Sequence, residues 1–484
     1  MSVEAVGLIT MLLGVVALWR GPGVGVAILV PLTLLGAAGA VLLGGSGTIQ
    51  PAHLMLGFVA LACAGRLDTA VLPRCLHFPR EGFWLAAFTL VSLGGALLLP
   101  RLLAQSTLIN AIGSTDYGPS LMLVPLGPTS GNVTQSIYAA ANLLCFVLCV
   151  AFASRPAGYR TLGRAIAVYC ALNIGFAFVD LATFWTGTGF LLAPIRNADY
   201  QLHIETVVTG LKRIVGSFTE TSSFAYATLG AFGFAAELCL AGLRPGVFGA
   251  LASGSLLLLL LSTSSTAYVA IPLLLLTLYG STLLRAVRRQ STPLGLAVLA
   301  LAPFAVIAMV AGVLLMPAAR DAVSDTLTAL LFDKASSQSG LERAQWNAAA
   351  LRNVWDTGGL GAGLGSVRAS SFPVALLANT GLPGLVLLSG FLIRLFFFGD
   401  APGGPTVEAV RRAARTACLG LLLGATVSGA MVDLGLPFFI FAALACARPV
   451  REAAAPIRTA TAAPRPPSPM PRPALRPHPP SLPA

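Results

Sequence analysis

Charge is what this chain has least of. Only 10% of its 484 residues are Asp, Glu, Lys or Arg, against 56% hydrophobic, and the mean hydropathy is +0.83. A soluble domain carries about 25% charged residues, so most of this chain cannot face water. The short alternating segments of a β-barrel are missing, and no metal-ligand cluster is present. Eight cysteines occur. Seven lie in apolar runs and Cys75 in an arginine-flanked loop, so no disulfide is expected. Cys145 and Cys149, four residues apart in an apolar run, read as packing residues. Met1-Ser-Val-Glu4 has no basic residue ahead of the first apolar run. The charged start of a cleaved signal peptide is therefore lacking, and the run is expected to be retained as a helix.

Apolar runs fill the rest. They fall at 4–19, 23–43, 50–65, 83–99, 136–153, 162–183, 222–243, 246–261, 265–284, 293–316, 372–396, 413–431 and 434–447. About 20 apolar residues cross roughly 30 Å of hydrocarbon, and lipid gives backbone groups no partner outside a helix. The expectation is an all-α bundle of 12–13 transmembrane spans. The third run is short, and Asp433-Leu-Gly-Leu-Pro437 interrupts the last two. Of the 30 basic residues, 21 fall in the loops on one side of this arrangement and in the C-terminal tail. That asymmetry explains the net charge of +12 by the positive-inside rule rather than by nucleic-acid binding. It predicts a cytoplasmic C-terminus in a plasma (inner) membrane. The tail from Ala453, rich in Ala, Pro and Arg, reads as disordered. The regions are then 1–183 N-terminal spans, 184–396 a core with two long outer loops, 397–447 C-terminal spans and 448–484 tail.

Three outer loops, 101–135, 184–221 and 317–371, exceed thirty residues, a length that usually signals function or disorder. Within 317–371, Arg320 to Lys334 has Val323, Leu327, Leu330 and Leu331 at helical spacing. That suits a helix lying flat on the membrane or one packed on neighbouring loops. A second short helix carries Arg343, Trp346 and Asn347 on one side, with Arg352 following. The run Gly358-Gly-Leu-Gly-Ala-Gly-Leu-Gly365 has nucleotide-fingerprint glycines but no strand before it, so it reads as a flexible turn allowing close approach to a ligand. Arg368 comes next. The loop 184–221 holds Arg196, Asp199, His203, Glu205, Lys212, Arg213 and Glu220. Ser217-Phe-Thr-Glu220 fits a capping box for the run at 222–243. Lys212 and Arg213 just before a helix start suit a phosphate-bearing ligand, because the helix dipole also favours anions there and arginine grips phosphate in a bidentate fork.

The stretch Ser339-Gly-Leu-Glu-Arg343 … Trp346 … Trp355-Asp356-Thr-Gly-Gly-Leu-Gly361-Ala-Gly363-Leu-Gly365-Ser366 … Gly381-Leu-Pro-Gly384 resembles the signature of the O-antigen ligase and O-antigen polymerase superfamily. Arg213-Ile-Val-Gly216-Ser-Phe218 looks like that family's upstream Arg-x-x-Gly-x-Phe segment, and Leu261-Ser-Thr-Ser-Ser-Thr-Ala267 like its Ser-x-Ser-Arg-Thr segment, over roughly residues 210–395. The resemblance implies a membrane glycosyltransferase that takes an undecaprenyl-diphosphate-linked oligosaccharide. It passes the glycan to a glycan or lipid acceptor in cell-surface polysaccharide synthesis, as ligase or polymerase, with membrane lipids and polysaccharide-synthesis subunits as further partners. It implies no metal and no cofactor, with arginines stabilising the departing diphosphate: Arg213, Lys212, Arg343, Arg352, Arg368 and Arg196, and Trp346 to stack on sugar.

Two departures stand out. Many members carry His-Asn after the glycine turn, where this chain has Ala369-Ser-Ser-Phe-Pro373, and the Arg of Ser-x-Ser-Arg is Ser265 or Thr266 here. His203 or Glu220 is then the expected catalytic base. Two other readings compete, a lipid-linked glycan flippase or transporter and a non-catalytic component of a polysaccharide-synthesis complex. Asp180, Glu237 and Asp433 sit near run ends rather than midway, which speaks against transport.

Overall fold

A computed structural model describes residues 2–44, 47–66, 71–115, 118–119, 123–198, 207–208, 211–328, 337–398 and 403–449. The chain opens with α1 (Ala5–Arg20), α2 (Pro22–Leu32), α3 (Pro51–Cys63) and the short α4 (Val71–Leu76). Then come α5 (Glu81–Leu102), α6 (Ser130–Ala153), α7 (Pro156–Trp185), α8 (Thr221–Leu240), α9 (Pro245–Leu261) and α10 (Ser265–Val287). The chain continues through α11 (Pro293–Leu315), α12 (Pro317–Leu327), α13 (Gln338–Asp356), α14 (Phe372–Phe397), α15 (Pro405–Ser428) and α16 (Gly435–Cys446). Among the described residues, seven of these helices are long and apolar enough to cross a membrane: α5, α6, α7, α8, α10, α11 and α14. Helices α1, α2, α3, α9 and α16 are apolar but shorter. The chain is a polytopic helical membrane protein.

Each of the thirteen apolar runs contains a helix, but two do not behave as independent spans. The run 23–43 is helical only over Pro22–Leu32, which rises about 16 Å, roughly half a bilayer core. Its remainder turns and enters a three-stranded antiparallel sheet formed by Ser2–Val3, Val41–Gly44 and Gly47–Ile49. Helix α16 has twelve residues, and every one from Phe438 to Cys446 is buried. A helix apolar on all sides can serve as core as well as span. At the opposite extreme, Gly295 is the one buried residue of α11, and α12, the described part of the expected surface helix, continues from it largely exposed. Residues 329–336 of that expected helix lie outside the described residues.

The centre of the bundle is α8, which packs against α15, α9, α10 and α7. Gly420 of α15 sits where a Cβ would come within 2.7 Å of the Leu229 carbonyl oxygen, the close helix contact that small residues permit in membranes. Helix α14 leans on α5, and α16 on α6 and α15.

The glycine run corrects one expectation. Instead of a flexible turn open to a ligand, residues 361–367 are buried. Gly365 has φ +83, and a Cβ on it would meet the Gly131 carbonyl oxygen at 2.2 Å. The close approach is to helices, and the reason lies in α14. That helix breaks at Gly381 (φ 62, ψ −165), with Pro383 inside. A break frees carbonyls that lipid cannot satisfy. The run satisfies them: Ala362 N–H donates to the Ala378 oxygen at 2.8 Å and Gly363 N–H to the Asn379 oxygen at 3.0 Å, while Leu382 N–H donates back to the Gly359 oxygen at 2.9 Å. Asn379 completes the joint. Its side chain accepts from Val367 N–H at 3.0 Å and donates to the Val367 oxygen at 2.8 Å.

Gly365→Ala should therefore remove most folded protein rather than alter a binding step. The measure is the monodisperse fraction and the melting temperature in detergent, with wild-type values contradicting a packed joint.

Candidate functional site

Contacts between distant segments define two ends of the bundle. At one end Arg155 donates to the Arg66 carbonyl (3.2 Å), Arg411 to the Ala447 carbonyl (2.9 Å), and Arg448 lies 3.8 Å from Glu81. Glu237 of α8, buried near this end, is bracketed by Arg285 at 3.3 Å and Arg412 at 3.5 Å and takes a bond from Ser281 at 3.0 Å. This is the arginine-rich end, and these five arginines engage neighbouring backbone and carboxylates.

The other end gathers the long loops, and Asp180 anchors them. Its carboxylate, 1% exposed, accepts from Lys212 at 2.5 Å and Arg196 at 2.6 Å, and from the backbone N–H of Val215 (2.9 Å) and Gly216 (3.1 Å). Arg196 also donates to the Gly216 carbonyl, and the Lys212 ammonium lies 5.2 Å from the Phe184 ring centre. Lys212 and Arg196, expected beside a ligand, are thus turned inward to a protein carboxylate. Two cations and two amides around one anion fix the course of residues 212–216.

Arg213, between two anchored residues, points elsewhere. It is half-buried and its Nε has no hydrogen-bond partner among the described residues. Burial holds its guanidinium below the usual arginine value; Glu220 opposes that shift and Arg343 adds to it. Glu220 and Arg343 therefore each stand within electrostatic range of Arg213. Glu220 is the N-cap residue of α8 and accepts from Ser222. The capping box expected from Ser217 is absent, because the Ser217 hydroxyl donates to the Leu34 carbonyl at 2.7 Å and ties the segment to the turn after α2.

Helix α13 delivers Arg343. Ser337 caps it, accepting from Gly340 N–H at 3.2 Å. Arg343, Trp346, Asn347, Ala350 and Asn353 recur at helical spacing on its protein-facing side, which ends in fully buried Ala350 and Asn353. Asn353 donates to Thr107 and to the Leu108 carbonyl, both at 2.8 Å; Asn347 accepts from Ser370 N–H at 2.8 Å. The Arg368 guanidinium lies over the Trp346 ring, 4.7 Å from its centre. Arg352 falls on the outer side of α13 and is exposed. His203 lies outside the described residues, as do Asp199 and Glu205. The structure thus leaves Glu220 and Arg343 within electrostatic range of Arg213, sets Trp346 one turn from Arg343 on α13 with the Arg368 guanidinium over its ring, and leaves Arg352 apart.

A second polar group here was not read from the sequence. Gln135, Tyr138 and Asn142 follow one side of α6. Gln135 contacts the Met431 sulfur at 3.0 Å, the Tyr138 ring stacks 5.0 Å from that of His53, and Asn142 donates to Asp433 at 2.8 Å. Asp433 also accepts from Gly435 N–H at 2.7 Å, and Tyr226 of α8 donates to the Leu434 carbonyl at 2.6 Å. The usable signal was polar residues inside apolar runs, which are costly unless paired or functional. His53 and Asn142 are such residues.

No protein-family model matches the chain, and no curated protein matches it.

Asp180→Asn leaves Lys212 and Arg196 facing a neutral partner in a buried site, and should destabilise the fold by about 3–5 kcal/mol, the usual effect of removing one member of a buried ion pair. Arg320→Ala, breaking the exposed contact with Asp321 at 3.2 Å, should change stability by less than about 1 kcal/mol. Chemical unfolding in detergent compares the two, and equal effects would contradict the anchor.

Proposed function

We propose that this protein is a membrane glycosyltransferase that transfers an oligosaccharide from a lipid-linked diphosphate, of the undecaprenyl type, to an acceptor hydroxyl in cell-surface polysaccharide synthesis. The observation that carries the reading is a half-buried Arg213 whose Nε has no hydrogen-bond partner among the described residues and which stands within electrostatic range of Arg343. Two like charges near each other in a partly dehydrated site destabilise the empty protein, and Glu220 offsets only one of them. A diphosphate restores the balance, and its charge grows as the glycosidic bond to phosphate breaks. Cationic groups fixed in advance favour that step most, because bidentate guanidinium–phosphate pairing needs no rearrangement. The Trp346 face beside Arg368 suits a sugar ring. The resemblance of residues 210–395 to O-antigen ligases and polymerases points the same way.

In this reading the long-loop end faces away from the cytosol, the arginine-rich end obeys the positive-inside rule, and the donor enters from the outer leaflet. Transport is the weaker alternative, since Glu237, the most deeply buried carboxylate beyond Asp180, is neutralised by two arginines of its own.

Arg343→Ala should lower transfer by about 10²–10³-fold, the range found when one charge-stabilising donor is lost. Arg352→Ala should stay within a few-fold of wild type. The assay is new glycosidic bond formation in proteoliposomes carrying undecaprenyl-diphosphate-linked oligosaccharide. Undiminished transfer by Arg343→Ala would overturn the assignment.

A further inference from the structure

The chain has no histidine after its glycine turn, yet transfer to a hydroxyl needs a proton acceptor. His53 lies in the first turn of α3, and its Nδ1 is buried with no hydrogen-bond partner among the described residues. Leaving a buried ring nitrogen unpaired is unfavourable, and such atoms call for an explanation. The surroundings supply one. Tyr138 stacks on the ring, and Asn142, one turn further along the same side of α6, holds Asp433 by a 2.8 Å bond. The Asp433 carboxylate acts electrostatically on the imidazole. An imidazole beside a fixed carboxylate is the arrangement that stabilises an imidazolium as it forms.

The cluster stands at the same end as the arginines. Tyr226 ties α8 to the turn holding Asp433, six residues along that helix from Glu220, an axial offset of about 9 Å. Gln50, which caps α3, donates to the Gly36 carbonyl at 3.5 Å, and the next residue, Ala37, bonds to the Ser217 carbonyl at 3.1 Å.

Resting on the glycosyl-transfer reading, we propose that His53, packed on Tyr138 one turn from the Asn142–Asp433 pair, is the base that takes the proton from the acceptor hydroxyl. The acceptor oxygen bonds to the anomeric carbon as its proton passes to the imidazole. The bond from that carbon to the phosphate oxygen breaks, and its electron pair leaves with the diphosphate toward Arg213 and Arg343. Tyr138 and Asp433 face the ring, and Tyr226 in turn faces Asp433. Of the helices packed on the other sides of α3, α2 has no titratable side chain, and α1 has Arg20 at its last turn with Glu4 capping its start.

The test uses the full chain in proteoliposomes, with undecaprenyl-diphosphate-linked oligosaccharide as donor and either lipid A–core or the same lipid-linked oligosaccharide as acceptor. Wild-type transfer should rise with pH as a histidine loses its proton. His53→Gln should bind donor normally, lose that rising limb and transfer about 10²–10⁴-fold more slowly. Asp433→Asn keeps an oxygen for Asn142 and Gly435 but removes the charge, so the imidazole loses its proton more readily and the limb should move to lower pH. Wild-type rates in His53→Gln, with Arg343→Ala inactive, would remove His53 and leave the function standing. Donor binding by wild type without transfer to either acceptor would overturn both. Should His53→Gln fail to fold, an unshifted limb in Asp433→Asn overturns the assignment on its own.

Discussion

Two guanidinium groups brought toward each other at the rim of an apolar bundle repel, and partial burial sharpens the repulsion because the surrounding dielectric falls. Water screens such a pair on an open surface. Arg213 has only part of that relief, and Glu220 matches a single positive charge. The arrangement therefore persists only because the rest of the structure holds the two segments in place.

The holding is done by parts that look unremarkable alone. Asp180 collects Lys212, Arg196 and two backbone amides, so residues on either side of Arg213 cannot drift. The buried glycine run locks α13 and its return to α5, α6 and the broken α14. That break would be intolerable in lipid without the run's N–H groups, so one feature explains the other.

Much of this was legible in the sequence. Runs of apolar residues located the helices, because hydrocarbon imposes one local solution, but not all of their bounds: α6, α7 and α15 begin at Ser130, Pro156 and Pro405, well ahead of the runs at 136, 162 and 413. The convergence of residues 213 and 343 was expected from the resemblance, and it enters the account as part of the proposed function. Length was misread where an apolar run served another purpose: 33–43 turns into sheet, and 435–446 is a core helix, neither of which hydropathy distinguishes from a span. The fates of Lys212 and Arg196 were hidden because adjacent cations look equivalent until Asp180, thirty-two residues before Lys212, is known to sit between them. Ser217 fitted a capping pattern but took a partner from α2, a tertiary contact no local pattern contains. The glycines announced close backbone approach correctly, while what approaches them, another helix rather than a ligand, depends on packing far away in the chain.

The central claim is that Arg213 and Arg343 grip one diphosphate together. A double-mutant cycle with Arg213→Gln and Arg343→Gln, read as the affinity of the purified protein for undecaprenyl diphosphate, addresses it directly. Each single change should weaken binding, and the two effects should be coupled by about 0.5–3 kcal/mol, as for residues sharing one partner. Affinities untouched by either change, or losses that simply add to within about 0.3–0.5 kcal/mol, would contradict it.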